Sequence, residues 1–77
     1  QSELIVQRIN ELLSAENLYD ISKLPQARLH LLIGDRRGHF AVDVRHPRRM
    51  ILLPRNGEIK DIRSITSIEI IEIVDYH

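Results

Sequence analysis

The spacing of apolar residues changes once along the chain, from a helical period to a strand period. Leu4, Ile5, Ile9, Leu12 and Leu13 recur at helical intervals, with Glu3, Gln7, Arg8, Asn10 and Glu11 between them. This predicts one amphipathic helix over roughly Ser2 to Ala15. Leu18, Tyr19 and Ile21 extend the apolar face into a short second turn, and Pro25 ends anything helical. From Arg28 onward the pattern is that of strands. Leu29-His30-Leu31-Leu32 is a short apolar run, and Gly34-Asp35-Arg36-Arg37-Gly38 has the composition of a turn. His39 to Arg45 then alternates: Phe40, Val42 and Val44 face one way, and His39, Ala41, Asp43 and Arg45 face the other. His46-Pro47 makes a tight connection to a strand from Arg48 to Leu53. Pro54-Arg55-Asn56-Gly57 is a further turn, and Glu58 to Arg63 reads as a polar loop. The last strand is predicted from Ile65 to Val74. Its isoleucines fall on both faces, so it is either buried on both sides or bulged; we expect a central strand.

A helix followed by strands on short turns gives an α+β domain. The N-terminal helix is expected to pack on a small twisted antiparallel sheet. The chain has 77 residues, which makes residues 1–77 one domain with no linker or repeat. The helical pattern starts at Gln1 with no Met or cap before it, so we expect an N-terminal element outside this sequence. Its lack would expose an apolar surface or a sheet edge, open to a partner or to homo-oligomers through that edge.

Composition narrows the function classes. There is no cysteine, which excludes a disulfide scaffold, a thiolate metal site and a thiol nucleophile. No apolar run approaches the ~18 residues of a membrane span and no signal peptide is visible, so a soluble, intracellular domain without membrane contact is expected. The formal net charge is zero, but it is unevenly placed. Between Arg28 and Arg55 there are seven arginines, no lysine, and only Asp35 and Asp43 against them. Arginine on one face of antiparallel strands is commonly a solvated surface, but its planar fork also suits phosphate and stacks on bases. The histidines are His30, His39, His46 and His77. None shares a predicted helix with another, so no metal site is expected. His30, inside an apolar strand, reads by itself as a half-buried, hydrogen-bonded edge or core residue. His77 ends the chain directly after the most hydrophobic strand.

Together these residues meet the needs of one reaction. Internal transesterification of RNA needs a base for the 2′-hydroxyl, a cation at the phosphate and an acid for the leaving 5′-oxygen. His30, Asp75, His77 and Arg49 supply those groups without metal or cofactor. Tyr76 can stack on a base and hold the backbone in line.

The segment Leu29-His30, then Gly34-Asp35-Arg36-Arg37-Gly38-His39-Phe40-Ala41-Val42-Asp43, then His46-Pro47-Arg48-Arg49-Met50-Ile51-Leu52, resembles the RelE/ParE toxin superfamily. The terminal Asp75-Tyr76-His77 is similar to the ending of its HigB-type (killer) branch, from bacterial type II toxin–antitoxin systems. The resemblance runs from about Gln7 to His77. It implies a RelE-like fold and endonucleolytic cleavage of mRNA on the translating ribosome, in the bacterial cytoplasm. Its implied partner is a cognate HigA-type antitoxin that also binds DNA. By the same resemblance, His30, Asp75, Tyr76 and His77 are the catalytic residues and Arg49 contacts the scissile phosphate. Two positions depart from the pattern. Ile33 stands where some relatives carry Lys, and Arg48 stands where many carry an aromatic. Arg36, Arg37 or Arg48 is then expected to supply the missing phosphate contact. Two other readings remain: a ParE-like toxin acting on DNA gyrase, which needs no acid–base residues, and a non-catalytic interaction domain of the same fold.

Overall fold

The computed structural model of the chain describes residues 2–75. Helix α1 covers Ser2–Ser14 and helix α2 covers Leu18–Ser22. Four strands follow: β1 (His30–Leu31), β2 (Phe40–Asp43), β3 (Arg48–Pro54) and β4 (Ile68–Asp75). They form one antiparallel sheet in the order β1-β2-β3-β4. The α+β architecture, with a helix packed on a small antiparallel sheet, is therefore as expected.

Each element follows from its residues. Glu3 lies in the first turn of α1, where the helix dipole favours a carboxylate. Leu4, Ile5, Ile9 and Leu12 turn the apolar face of α1 onto the core. Asn17 caps α2, its Oδ1 accepting from the Asp20 amide at 3.1 Å. Pro25 opens a 3-10 turn over Pro25–Ala27, as its fixed φ allows. Phe40, Val42 and Val44 point to the helices, joined by Met50 and Leu52 of β3 and by Leu18 and Ile21 of α2. We call this the helix side of the sheet, and its other face the open side. The His46–Pro47 peptide between β2 and β3 is cis.

The last strand departs from expectation in two ways. It starts at Ile68 rather than Ile65, and it lies at the edge of the sheet rather than in its centre. Its apolar pattern has a different cause from double-sided burial. Leu52 pairs with Ile70 but Ile51 pairs with Glu72, so Ile71 is an extra residue in a bulge. The bulge shifts the alternation by one. Ile68 and Ile70 before it, and Ile73 after it, therefore all fall on the helix side. Ile65 is not in the strand at all. It follows the 3-10 turn Ile62–Ser64, inserts fully into the core, and accepts the Leu18 amide at 2.9 Å.

The loop from Arg55 to Ser67 is knitted by polar groups. The Asn56 Oδ1 accepts from the amides of Thr66 (3.0 Å) and Ser67 (3.1 Å). The Ser64 hydroxyl accepts from the Glu58 amide at 2.8 Å and donates to the Asp61 carbonyl at 2.6 Å. Arg63 of this loop stacks on the Tyr19 ring, 3.7 Å from its centroid, and so ties the loop to α2.

The helix layer is clamped to the sheet by a charge. Arg8 is buried in α1. Its Nε donates to the Asp43 carbonyl at 2.7 Å, one terminal nitrogen to Glu11 Oε1 at 2.9 Å and the other to the Gln26 carbonyl at 3.3 Å. The sequence reading placed Arg8 among the polar positions of α1.

Candidate active site

The strand register sets which side chains share the open side. Paired residues of neighbouring strands point the same way. His30 pairs with Ala41, Ala41 with Ile51, and Ile51 with Glu72, which makes one row across the sheet. Asp43, Arg49 and Val74 make the next row. Arg28, two residues before His30, meets the Asp43 end of that row, its Nε 3.4 Å from Asp43 Oδ2.

Asp43 is the hub of the second row. Its Oδ1 lies 3.4 Å from Arg49 Nε, so one carboxylate sits between two guanidinium groups. That Oδ1 is enclosed and has no aligned hydrogen bond, so its contact with Arg49 is one of charge rather than of hydrogen-bond geometry. The trio keeps a surplus positive charge on the open side, and the side chains of Asp43 and Arg49 are about four-fifths covered. The backbone of the hub is held from the helix side by Arg8.

His30 is fixed through its own turn. Its Nδ1 lies 2.7 Å from the Arg28 carbonyl. A carbonyl only accepts, so Nδ1 carries the proton and a neutral ring keeps its lone pair on Nε2. Nε2 is enclosed and has no hydrogen-bond partner among the described residues. Arg28, whose carbonyl does this, adopts φ 47° and ψ 53°, a left-handed conformation uncommon for a residue with a side chain. Strand spacing separates the His30 and Arg49 Cα atoms by about 12 Å. The Arg49 side chain, anchored toward Asp43 between them, narrows that gap.

The other expected site residues are distributed as follows. Arg36, in the β1–β2 connection, pairs with Glu72 of β4. Its side chain thus spans the open-side row that contains the buried Ala41 and Ile51. Arg37 follows in the same connection and is exposed. Arg48 and Asp75 pair with each other at 3.5 Å. They are register partners one step from Arg49 and Val74, so they lie toward the helix side. Tyr76 and His77 fall outside the described residues. The structure therefore brings His30 and Arg49 to one surface and sets Arg48 and Asp75 toward the other. Sequence reasoning missed Arg28 as a site residue. It placed Asp43 correctly opposite the core, and that alternation was the available signal for its role.

Among the described residues, no three His, Cys, Asp or Glu gather where they could hold a metal ion, and no helix is long and apolar enough to cross a membrane. Comparisons with protein-family models, curated proteins and solved structures yield no match.

Proposed function

We propose that the chain is a toxin of the RelE/ParE type, of the HigB branch, that cleaves mRNA on the ribosome by acid–base transesterification without a metal. The observation that carries this reading is that His30 and Arg49 share the sheet face that no helix among the described residues covers. The His30 ring is oriented with its Nε2 lone pair unused, and Arg49 is braced by Asp43. Nε2 is enclosed in this structure, so in this reading its cover moves aside on RNA binding, and His30 Nε2 then takes the proton from a 2′-hydroxyl as the 2′-oxygen attacks the adjacent phosphorus. The P–O5′ bond breaks, and the leaving oxygen takes a proton from an acid of the Asp75-Tyr76-His77 terminus. A 2′,3′-cyclic phosphate and a 5′-hydroxyl result. Arg49 stabilises charge on the non-bridging oxygens, where a preorganised cation is most effective. The functional partners are mRNA, the ribosome and a neutralising, DNA-binding antitoxin of the HigA type, in the bacterial cytoplasm.

The position of Asp75 toward the helix side, paired to Arg48, favours a second reading: a non-catalytic interaction domain of the same fold. One assay separates the two. Translating ribosomes programmed with a defined mRNA are incubated with the protein, and ends are mapped by primer extension. Discrete cuts that need both the ribosome and the protein are expected. Intact mRNA with a demonstrably folded protein would leave the binding reading.

A further inference from the structure

Among the described residues β4 ends the sheet, so one side of its backbone has no strand partner there. Natural edges are commonly short or carry Lys or Pro. β4 has eight residues and contains neither. Ile70, Ile71 and Ile73 on it are 38–39% exposed. Alongside runs a groove of about 370 Å³ between α1 and the start of β4, lined by Ile9, Leu12, Leu13, Ile68 and Ile70 and with no charged side chain in its wall. Leu13 at its rim is 78% exposed.

We propose that β4 pairs antiparallel with β4 of a second copy, about a two-fold axis between Ile71 and Glu72. The bulge and the charges select this register. Ile68 and Ile70 face the helix side before the bulge, and Ile73 and Asp75 face it after. A two-fold pairing must match helix side to helix side. With Ile70 opposite the partner's Ile73, all eight residues pair and the faces agree. Ile68 then meets the partner's Asp75, and Glu69 meets the partner's Val74, so no two acids are opposed. Sliding the pairing so that Ile68 meets the partner's Ile73 shortens it and sets Glu69 against the partner's Glu72, a like-charge pair that destabilises a ladder. Sliding it the other way, to set Ile70 opposite the partner's Asp75, forces open-side Glu72 against the partner's helix-side Ile73. The favoured register makes an eight-stranded sheet with both helix layers on one side. Ile70 and Ile73 of each copy form its apolar seam, and the partner's Ile73 meets the mouth of the groove beside Leu13. This assembly does not depend on the ribonuclease reading.

The test is molar mass by sedimentation equilibrium from micromolar to submillimolar concentration, with amide hydrogen exchange on the same samples. A monomer–dimer equilibrium is expected, with slowed exchange along β4 in the dimer. Ile73→Lys should weaken association at least about tenfold, as loss of a central interface anchor does. Leu13→Glu, at an exposed position that the fold does not need, should weaken it as well. A monomer at every concentration overturns the proposal. A dimer indifferent to both substitutions, with β4 amides unprotected, overturns it equally.

Discussion

Arg8→Met is expected to lower unfolding stability by about 3 kcal/mol, the scale for removing one member of a buried, hydrogen-bonded charge cluster. Arg8 donates to two backbone carbonyls and to Glu11 from a position 3% exposed. Methionine fills much of the same volume, so the loss comes from the polar groups left behind. The Asp43 and Gln26 carbonyls lose their donors, and the Glu11 carboxylate, four-fifths covered, loses its countercharge. Domains of this size have little reserve, on the order of 5 kcal/mol. A loss of 3 kcal/mol corresponds to a fall in Tm of roughly 12–24 °C. Thermal and urea unfolding by circular dichroism measure it, and a loss below about 1 kcal/mol would contradict the clamp. The substitution should also disturb the site, because the backbone that Arg8 holds is that of Asp43.

Gly57→Ala is expected to cost more than about 2 kcal/mol, from two sources that add. Gly57 has φ +73°, where a side chain is disfavoured by roughly 1 kcal/mol or more. A Cβ there would also collide with the Ser64 carbonyl oxygen and sit 2.7 Å from its Oγ. The obstacle is backbone, so relief requires the loop to open. The same Ser64 hydroxyl bridges Glu58 and Asp61, and the loop that it closes delivers Ile65 to the core. The damage should therefore spread to the packing of Ile65 beneath α2. Urea unfolding is the check; a ΔΔG under about 1 kcal/mol would mean that the loop yields without disturbing the core.

What the sequence made legible was what depends on short-range period. The α1 stripe of Leu4, Ile5, Ile9 and Leu12, the Phe40-Val42-Val44 alternation and the turn at Gly34–Gly38 are local patterns, and the structure places them as read; the turn read at Pro54–Gly57 starts one residue later, because Pro54 ends β3 opposite Ile68. The bulge in β4 was one of the two causes its pattern allowed, but the same pattern fits double-sided burial, and the central position expected from that is the part that failed. One inserted residue turns Ile70 and Ile73 to the same face, and a period count alone does not locate the insertion. Ile65 misled because a core residue on a 3-10 turn leaves no periodic trace. Arg8 looked like any polar helix position, since its partners Asp43 and Gln26 are remote in the chain. The same limit applies to the site. His30 and Arg49 were named from residue type and resemblance, but their common face depends on the registers of two strand pairs. The bracing of Arg49 by Asp43 depends on the β2–β3 register, and that of His30 by the Arg28 carbonyl on a left-handed turn that the sequence does not announce.

The measurement that bears most directly on the proposed chemistry is the single-turnover rate of cleavage of ribosome-bound mRNA by the wild-type protein and by His30→Gln. Glutamine keeps a polar group of similar reach but cannot exchange a proton near neutral pH. A rate lower by about 100-fold or more is expected in the variant, with RNA affinity and circular dichroism unchanged, as removal of a general base produces. Cleavage by folded His30→Gln at the wild-type rate would contradict it.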